Sequence, residues 1–273
     1  MSTDVYVEPD WLQLHLDDLD VRVLESSIEK KTYDDGHIAG ALWVDPHRDM
    51  LRNGDESSGD VLTPEQFAAL MRRLGITPAT TVVWYGDRHS AYAMRGLWTM
   101  DFYRHPSPVH ILRGGRERWV AERRPMTREV SERLPSEYPV PRERDESNRA
   151  TFEQVRAAMD DPSARILDVR ALDEYTGKNV RAARGGHIPG AANIEWTEAT
   201  AGDNVLKGSD ELRAMYEAQG VTPDREIITH CQLGIRAAHT WFVLKHVLGY
   251  PSVRNYDGSW QEWGNREDAP IDR

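Results

Sequence analysis

The sequence predicts an α/β fold built twice in tandem, each copy a mainly parallel sheet flanked by helices. Short apolar runs alternate with amphipathic stretches along the chain, which is the pattern of parallel strands covered by helices. Three motifs also recur in the same order at a spacing close to half of the 273 residues, which indicates an internal duplication. The length agrees with two domains of ordinary size.

The recurring motifs locate the two copies. They are GHIAGA (Gly36–Ala41) with GHIPGA (Gly186–Ala191), LGITP (Leu74–Pro78) with QGVTP (Gln219–Pro223), and GGRERW (Gly114–Trp119) with GSWQEW (Gly258–Trp263). His37 and His187 occupy matching places, so we expect both to have a structural role in their turns. A charged stretch with four prolines separates the copies. The predicted organisation is a first domain over residues 1–122, a linker over 123–148 and a second domain over 149–273.

Individual elements follow from the apolar periodicity and from capping residues. In the second copy, the predicted strands are Arg165–Val169, Ala192–Ile194, Glu226–Thr229 and Val253–Asn255. The predicted helices there are Thr151–Met159, Ser209–Gln219 and Ile235–Val247. Ser209 is a candidate N-cap, and Gly220 and Gly249 are candidate helix stops. The first copy repeats the plan with predicted strands at Val21–Leu24, Thr81–Trp84 and Val109–Leu112.

The composition excludes several classes of partner. A formal net charge of −11 leaves no positive excess for nucleic acid or an anionic membrane. The N-terminal residues lack the basic stretch and apolar core of a signal peptide, and no apolar run is long enough to span a bilayer. A single cysteine excludes an internal disulfide and a multi-cysteine metal site. We therefore expect a protein of the reducing cytoplasm.

The lone cysteine, Cys231, stands between the predicted strand Glu226–Thr229 and a predicted helix that starts at Ile235. Backbone N–H groups converge at such a turn, and the helix dipole favours a thiolate there. Gly234 permits a tight turn. Arg236 supplies a fixed positive charge, which either clamps an anion or forms a salt bridge on the helix surface.

This loop is predicted to cradle an anion above the sulfur, because ligands gather at the carboxyl ends of parallel strands. The predicted substrate-binding residues of the cradle are Gln232, Leu233, Gly234, Ile235 and Arg236. The side chains of Gln232 and Leu233 are expected to point outward, towards substrate or partner. Asp168 and Arg170, at the end of another strand, either orient the loop or form a buried ion pair.

Two reactions use such a cradle. A thiolate attacks phosphorus, with arginine clamping the phosphoryl oxygens, or it attacks a sulfane sulfur and becomes a persulfide. The spacing here is Cys-x4-Arg, one residue shorter than the Cys-x5-Arg of cysteine phosphatases. A smaller cradle suits one sulfur atom better than a phosphoryl group. The spacing therefore favours sulfur transfer and leaves phosphate-ester hydrolysis as the weakest alternative.

These residues resemble the rhodanese family, and more closely its tandem-domain thiosulfate sulfurtransferases. The resemblance covers essentially the whole chain. It rests on CQLGIR (Cys231–Arg236), GHIPGA (Gly186–Ala191) and VRNYDGSWQEW (Val253–Trp263), with the weaker forms YDDGHIAGA (Tyr33–Ala41) and GGRERW (Gly114–Trp119) in the first half.

The resemblance implies two tandem rhodanese-like domains, of which only the second is catalytic. Cys231 would attack the outer sulfur of thiosulfate, release sulfite, and pass its persulfide sulfur to cyanide, to a thiol or to a protein acceptor. The family needs neither a metal nor an organic cofactor. Gly86 occupies the position equivalent to Cys231, so the first half has no thiol there to carry sulfur.

The resemblance leaves the donor open. Relatives that prefer 3-mercaptopyruvate carry small residues after the cysteine, and many thiosulfate enzymes carry two basic ones, whereas Gln232 and Leu233 are neither. Loops of the form Cys-x-x-Gly-x-Arg resemble a bacterial thiosulfate-type variant, so thiosulfate is the preferred donor. The alternatives are 3-mercaptopyruvate sulfurtransfer and a sulfur-carrier or binding module. Arg181 and Arg184 lie where mercaptopyruvate enzymes carry substrate-binding arginines, and are candidates to hold a sulfonate or carboxylate.

Overall fold

The structure, a computed structural model, describes residues 5–201 and 205–273. It divides into two compact units. The first consists of the described residues up to Asp55 together with Val61–Asp145 and Val205. The second consists of Glu56–Asp60, Glu146–Ala201 and Leu206–Arg273, so five residues from the first half of the sequence pack with the second unit.

The first unit contains a five-stranded parallel sheet in the order β1-β5-β4-β2-β3. Its strands are β1 (Tyr6–Val7), β2 (Val21–Glu25), β3 (Leu42–Trp43), β4 (Thr81–Tyr85) and β5 (Val109–Leu112). Its α-helices are α1 (Pro9–Leu14), α2 (Lys30–Asp34), α3 (Pro64–Arg73), α4 (Ala91–Phe102) and α5 (Gly115–Ala121). The predicted strands of this half are confirmed, two of them with one further residue at the carboxyl end.

The second unit contains a four-stranded parallel sheet in the order β7-β6-β8-β9. Its strands are β6 (Ala164–Asp168), β7 (Ala192–Asn193), β8 (Glu226–His230) and β9 (Val253–Asn255). Its α-helices are α6 (Phe152–Ala158), α7 (Leu172–Tyr175), α8 (Ser209–Glu217), α9 (Ile235–Phe242) and α10 (Ser259–Trp263). A wider π-helical turn, Val243–Val247, continues α9 to the predicted end of that helix. The predicted α/β class, with a mainly parallel sheet flanked by helices in each half, is confirmed.

Helix starts show how local sequence sets the elements. Thr63 before α3 and Thr151 before α6 each accept a hydrogen bond from the backbone N–H three residues on, and a glutamine at that position bonds back. Such capping boxes contribute about 1 kcal/mol each. The predicted N-cap of α8 was wrong by one residue. Gly208 occupies the N-cap and Ser209 is the first helical residue, with no side-chain capping bond at this end.

The matched histidines have the structural role that the repeat predicts. The Nδ1–H of His37 donates to the Tyr33 carbonyl at 3.0 Å, and the two rings stack with centroids 3.7 Å apart. His187 repeats this geometry on Tyr175, with the same two distances. Each tyrosine hydroxyl donates to the carbonyl of the last residue of its motif, at 2.8 Å. The motif is therefore a turn held by one aromatic stack in each half.

The hydrophobic core of the second unit packs against β8, the strand that Cys231 follows. Phe152, Tyr256, Trp260 and Trp263 pack with apolar residues of the sheet, among them Ile228 of β8. Burying aromatic side chains of this size is the largest apolar contribution available to a small domain. This cluster fixes the segment Tyr256–Trp263 against β8, and it thereby fixes the backbone that surrounds Cys231.

Candidate active site

Cys231 directly follows β8 at the carboxyl edge of the sheet, and Gly234 then turns the chain into α9. Gly234 has φ of +71°, the left-handed conformation that glycine adopts without a side-chain clash. The first N–H groups of α9 have no carbonyl partner within the helix. Their partial positive charge lies at the loop that follows the thiol. The thiol side chain is buried, with 1 % of the residue exposed.

The C-terminal motif holds the backbone of the cysteine itself. The Cys231 N–H donates to the Ser259 hydroxyl at 3.1 Å, and that hydroxyl donates to the Tyr256 carbonyl at 2.7 Å. The Trp260 N–H donates to the Cys231 carbonyl at 3.0 Å. Ser259 has φ of +52°, an unfavourable conformation for a residue with a side chain. The peptide groups on both sides of the thiol are therefore bonded to α10.

Two further hydrogen bonds hold the rest of the loop in place. The Gln261 N–H donates to the Gln232 carbonyl at 3.0 Å. The Asn255 side-chain amide donates to the Gly234 carbonyl at 2.9 Å. Because the Gln232 and Gly234 carbonyls are acceptors in these bonds, they point towards Gln261 of α10 and Asn255 of β9. A cradle of N–H groups above the sulfur requires this orientation.

Gln232 and Leu233 do not point outward, so that expectation was wrong. Both residues are buried, and the Gln232 side-chain amide donates to the Arg181 carbonyl at 3.0 Å and to the Gln261 side-chain oxygen at 3.1 Å. Ile235 is buried as well. The Gln232 side chain thus links the loop to the segment that carries Arg181.

Arg236 forms a two-point ion pair with Glu174 of α7. Its Nη1 and Nη2 lie 2.7 Å and 3.0 Å from the two carboxylate oxygens. Burial would raise the pKa of Glu174, but the hydrogen bonds from Arg236 outweigh it and hold that pKa below its ordinary value. Burial likewise opposes the charge of Arg236, yet Glu174 and the nearby Cys231 raise its pKa. The Glu174 carboxylate therefore orients the Arg236 guanidinium, which lies close enough to Cys231 to interact with it electrostatically.

The structure places the two other candidate arginines differently. The Arg181 side chain is 45 % exposed, and its Nη1 lies 3.7 Å from the Glu174 carboxylate oxygen that the Arg236 Nη2 also contacts. The Arg184 guanidinium donates to the carbonyls of Ala269, Trp263 and Arg266. Arg181 is therefore brought towards the loop, whereas Arg184 bonds to the C-terminal backbone.

A buried charged group lies next to the cysteine within the sheet. Asp168 faces His230 in the register of β6 and β8, and the Arg170 Nε lies 2.9 Å from the Asp168 carboxylate. Burial opposes ionisation of Asp168, but His230 and Arg170 hold its pKa below the ordinary value. Burial lowers the pKa of His230 to about 4, so its ring is neutral at pH 7. Asp168 and Arg170 thus form the buried ion pair that was one of two interpretations of these residues.

Sequence reasoning missed Glu174, Ser259, Asn255 and Gln261 as parts of the site. Three of them belong to the motif Val253–Trp263, which was recognised only as a mark of the family resemblance. Glu174 offered no comparable signal, because an acidic residue in a first helical turn is ordinary. Among the residues described, no group of three or more His, Cys, Asp or Glu is arranged to hold a metal.

The equivalent place in the first unit has a different chemistry. β4 ends at Tyr85, and Gly86 follows where Cys231 follows β8. The Gly86 carbonyl accepts the Arg116 N–H at 3.2 Å, and the Arg116 side chain lies 3.2 Å from the buried Glu25 carboxylate. Glu25 also accepts the Tyr85 hydroxyl. Glu25 and Tyr85 are paired in register as Asp168 and His230 are, but Gly86 follows Tyr85 where Cys231 follows His230.

Comparison with known proteins identifies the family. The rhodanese-like domain model matches twice, at residues 8–122 and 151–266. The chain is 44 % identical to the sulfur carrier protein TtuD of Thermus thermophilus, across 98 % of this chain and 96 % of that protein. It is 41 % identical to a putative thiosulfate sulfurtransferase, SseA, of Mycobacterium leprae (99 % and 93 % covered), and 38 % identical to a thiosulfate sulfurtransferase of Corynebacterium glutamicum (97 % and 89 % covered).

A solved structure shares the fold. The anaerobic ergothioneine biosynthesis enzyme of Chlorobium limicola superposes with a TM-score of 0.85 at 22 % identity, over 98 % of this chain and 70 % of that one. Together with the double match to one domain model, this agrees with the duplication observed in the sequence and in the two parallel sheets. The chain belongs to the rhodanese family, as a tandem of two rhodanese-like domains.

Proposed function

We propose that the protein is a thiosulfate sulfurtransferase that carries sulfane sulfur as a persulfide on Cys231. One observation carries the proposal: the only cysteine of the chain stands at the carboxyl end of β8, at the N-terminus of α9, in a loop whose carbonyls are bonded away by α10 and Asn255. This is the surrounding in which a thiolate is favoured and an anion is held over it.

The first half-reaction charges the cysteine. The Cys231 thiolate attacks the outer sulfur of thiosulfate, a new S–S bond forms, and the S–S bond of thiosulfate breaks with its electron pair leaving on sulfite. In the second half-reaction, the carbon of cyanide, or the sulfur of a thiolate, attacks the outer sulfur of the persulfide. The electron pair of the persulfide bond returns to Cys231, and the acceptor leaves with the sulfur.

We expect the sulfur donor to be bound by the backbone of the loop after Cys231 and by Arg236 and Arg181. The N–H groups from Gln232 to Arg236 would hold the oxygens of the donor, and the oriented guanidinium of Arg236 would add charge. Arg181 is half-exposed beside Glu174, and it would meet the donor as it enters. Arg184 would act as a positioning residue, because its guanidinium bonds three backbone carbonyls.

The second candidate function is that of a sulfur carrier that delivers to a protein acceptor. The sulfur carrier name of the Thermus thermophilus relative, at 44 % identity, favours it. In that case Cys231 would load from thiosulfate but turn over slowly with cyanide. The 3-mercaptopyruvate alternative predicts instead that this donor charges Cys231 faster than thiosulfate does.

No helix in the described part of the chain could span a membrane. We propose a reducing compartment, the cytoplasm, because a lone catalytic thiol has to stay free of oxidation between turnovers. Small sulfur compounds, and in the carrier case a protein, would be its partners. The net charge of −11 favours neither nucleic acid nor an anionic membrane.

The donor question is tested by steady-state formation of thiocyanate with thiosulfate or 3-mercaptopyruvate as donor. We expect the larger kcat/KM with thiosulfate, and Arg181→Ala should raise the KM for thiosulfate about 3- to 10-fold through the loss of one exposed charge. Arg156→Ala, at an exposed position on α6, is the matched control and should not change it. A larger kcat/KM with 3-mercaptopyruvate would contradict the proposed donor.

A further inference from the structure

The segment Glu56–Asp60, here called the strap, lies in the first half of the sequence but packs with the second unit. We propose that Gly59 of the strap is a positioning residue that fixes the catalytic loop at Leu233, and that sulfur transfer requires a glycine there. This inference rests on the proposed function of Cys231. It assigns part of the catalytic geometry to a segment more than 170 residues away in sequence.

Gly59 packs directly on the backbone of the loop. A Cβ atom placed on it would lie 3.0 Å from the Leu233 carbonyl carbon and 3.1 Å from the Leu233 Cα, and it would overlap the Asp257 carbonyl oxygen. These are backbone atoms, so they cannot rotate away as a side chain would. A side chain at position 59 must displace the loop, the C-terminal motif or the strap itself.

Arg149 fastens the strap at its carboxyl end. Its Nη2 lies 3.0 Å from the Asp60 carboxylate and its Nε lies 2.8 Å from the fully buried Asp257 carboxylate. One guanidinium therefore joins the strap to the motif whose Ser259 and Trp260 bond the two sides of Cys231. The strap cannot move away without breaking a partly buried ion pair.

Gln261 provides a second connection. Its side-chain amide nitrogen lies 3.5 Å from the Ser57 carbonyl, its side-chain oxygen accepts the Gln232 amide at 3.1 Å, and its N–H donates to the Gln232 carbonyl. The strap is thus connected to the loop on both sides of Gly59. Because a displacement of about 1 Å can slow catalysis about 100-fold, contact at Leu233 is sufficient to affect the reaction.

The test compares two glycine substitutions. Gly59→Ala adds one methyl group against the loop, and Gly208→Ala adds one in the same unit where no atom lies within 4 Å. Neither glycine has a positive φ, so neither substitution introduces left-handed backbone strain. Gly208 is the N-cap of α8, so its alanine variant can lose some stability without touching the loop. We expect Gly59→Ala to slow the charging of Cys231 by thiosulfate about 10- to 100-fold, and Gly208→Ala to charge like the wild type.

Alkylation of Cys231 by iodoacetamide provides a readout that does not depend on sulfur transfer. Cys231 and Leu233 are almost completely buried, so displacement of the loop can only expose the thiol. We expect faster alkylation in Gly59→Ala, with an unchanged far-UV circular dichroism spectrum. If Gly59→Ala does not fold, Asp60→Asn, which loosens the strap at a partly exposed position, should slow charging about threefold.

Charging and alkylation rates equal to those of Gly208→Ala would overturn the inference and leave the sulfurtransferase proposal intact. If Gly59→Ala does not fold, wild-type rates in Asp60→Asn would overturn it in the same way. If instead the wild-type protein took up no sulfur, the proposed function would fail. The strap would then be judged by alkylation alone, where faster reaction in Gly59→Ala supports it and equal rates refute it.

Discussion

At the scale of single residues, the site places the Cys231 thiol near two arginines, each paired with a carboxylate. Arg170 is paired with Asp168 and Arg236 with Glu174, both in largely buried positions. The fixed positive charge expected from the sequence is therefore present, but a carboxylate that the sequence did not reveal holds and partly neutralises it. Removing Arg236 would leave the buried Glu174 carboxylate with only the half-exposed Arg181, 3.7 Å away.

Arg236→Ala should therefore reduce stability as well as thiosulfate use. Glu174 is 5 % exposed in its side chain, and losing its partner should cost about 3 kcal/mol in free energy of unfolding. Adding Glu174→Gln should restore most of that stability without restoring thiosulfate turnover, because the guanidinium is still absent. Denaturant unfolding and thiocyanate formation on the two single variants and the double variant test this cycle. Recovery of turnover in the double variant would show that Arg236 has no anion-binding role.

His230 should make stability depend on pH. Burial lowers its pKa to about 4, whereas an unfolded histidine titrates near about 6.5. Below pH 6.5 the unfolded chain gains a proton that the folded chain does not, so stability falls as the pH falls towards 4. The share of His230 in the loss between about pH 7 and pH 5 should be about 2 kcal/mol, beside a further share from His246, whose pKa burial also lowers to about 4. Urea unfolding at both pH values should show it in the wild type and a smaller loss in His230→Gln, and equal losses would contradict the assignment.

At the scale of elements, α10 supplies hydrogen-bond partners for the backbone of the loop that carries Cys231. Ser259, Trp260 and Gln261 are consecutive, and each makes a hydrogen bond to the backbone of Cys231 or Gln232. The β8–α9 connection alone would leave those peptide groups without partners. Buried and unbonded, they would cost about 1–3 kcal/mol each. Strand, loop and C-terminal helix therefore act as one structural element.

Two substitutions of Ser259 separate its hydroxyl from its backbone strain. Ser259→Ala and Ser259→Gly both remove the acceptor of the Cys231 N–H, so both should slow persulfide formation. Glycine tolerates φ of +52° without the strain of about 1 kcal/mol that alanine keeps. We expect stability to fall in the order wild type, Ser259→Gly, Ser259→Ala in thermal unfolding. Wild-type rates of persulfide formation in both variants would contradict the role of the hydroxyl.

The sequence predicted elements better than it predicted the site. Short apolar runs located β8 and β9 to within one residue, because parallel strands buried on both faces are nearly continuous runs of apolar residues. The positions of Gln232 and Leu233 were predicted wrongly, because both are buried by partners distant in sequence. The Gln232 side chain bonds to Arg181 and Gln261, and the Leu233 backbone packs on Gly59. Long-range contacts of this kind leave no periodic signal in the chain.

At the scale of the whole molecule, duplication gave two sheets of the same plan and one nucleophile. The motif turns are alike in both halves, down to the tyrosine–histidine stacks. The positions at the strand ends differ, because Glu25, Tyr85 and Arg116 form a bonded network where the second half has Asp168 and His230. The two copies of the fold thus share their turns and differ in the residues at the strand ends.

A thiol introduced in the first half should not work. A Cβ on Gly86 would overlap the Ser26 carbonyl oxygen and lie 3.0 Å from its carbon, so Gly86→Cys should destabilise the protein. In a Cys231→Ala background, Gly86→Cys should take up no sulfur from thiosulfate. Labelling with radioactive thiosulfate measures this directly. Transfer of sulfur to residue 86 would show that the loop after β8 contributes nothing specific.

The central claim, a persulfide on Cys231, is tested most directly by the intact mass of the protein after brief exposure to thiosulfate. Cys231→Ala removes the only thiol of the chain and leaves the methyl group in its place. We predict that the wild type gains the mass of one sulfur atom, that cyanide removes it again, and that Cys231→Ala gains nothing. An unchanged wild-type mass, or the same gain in Cys231→Ala, would contradict the account.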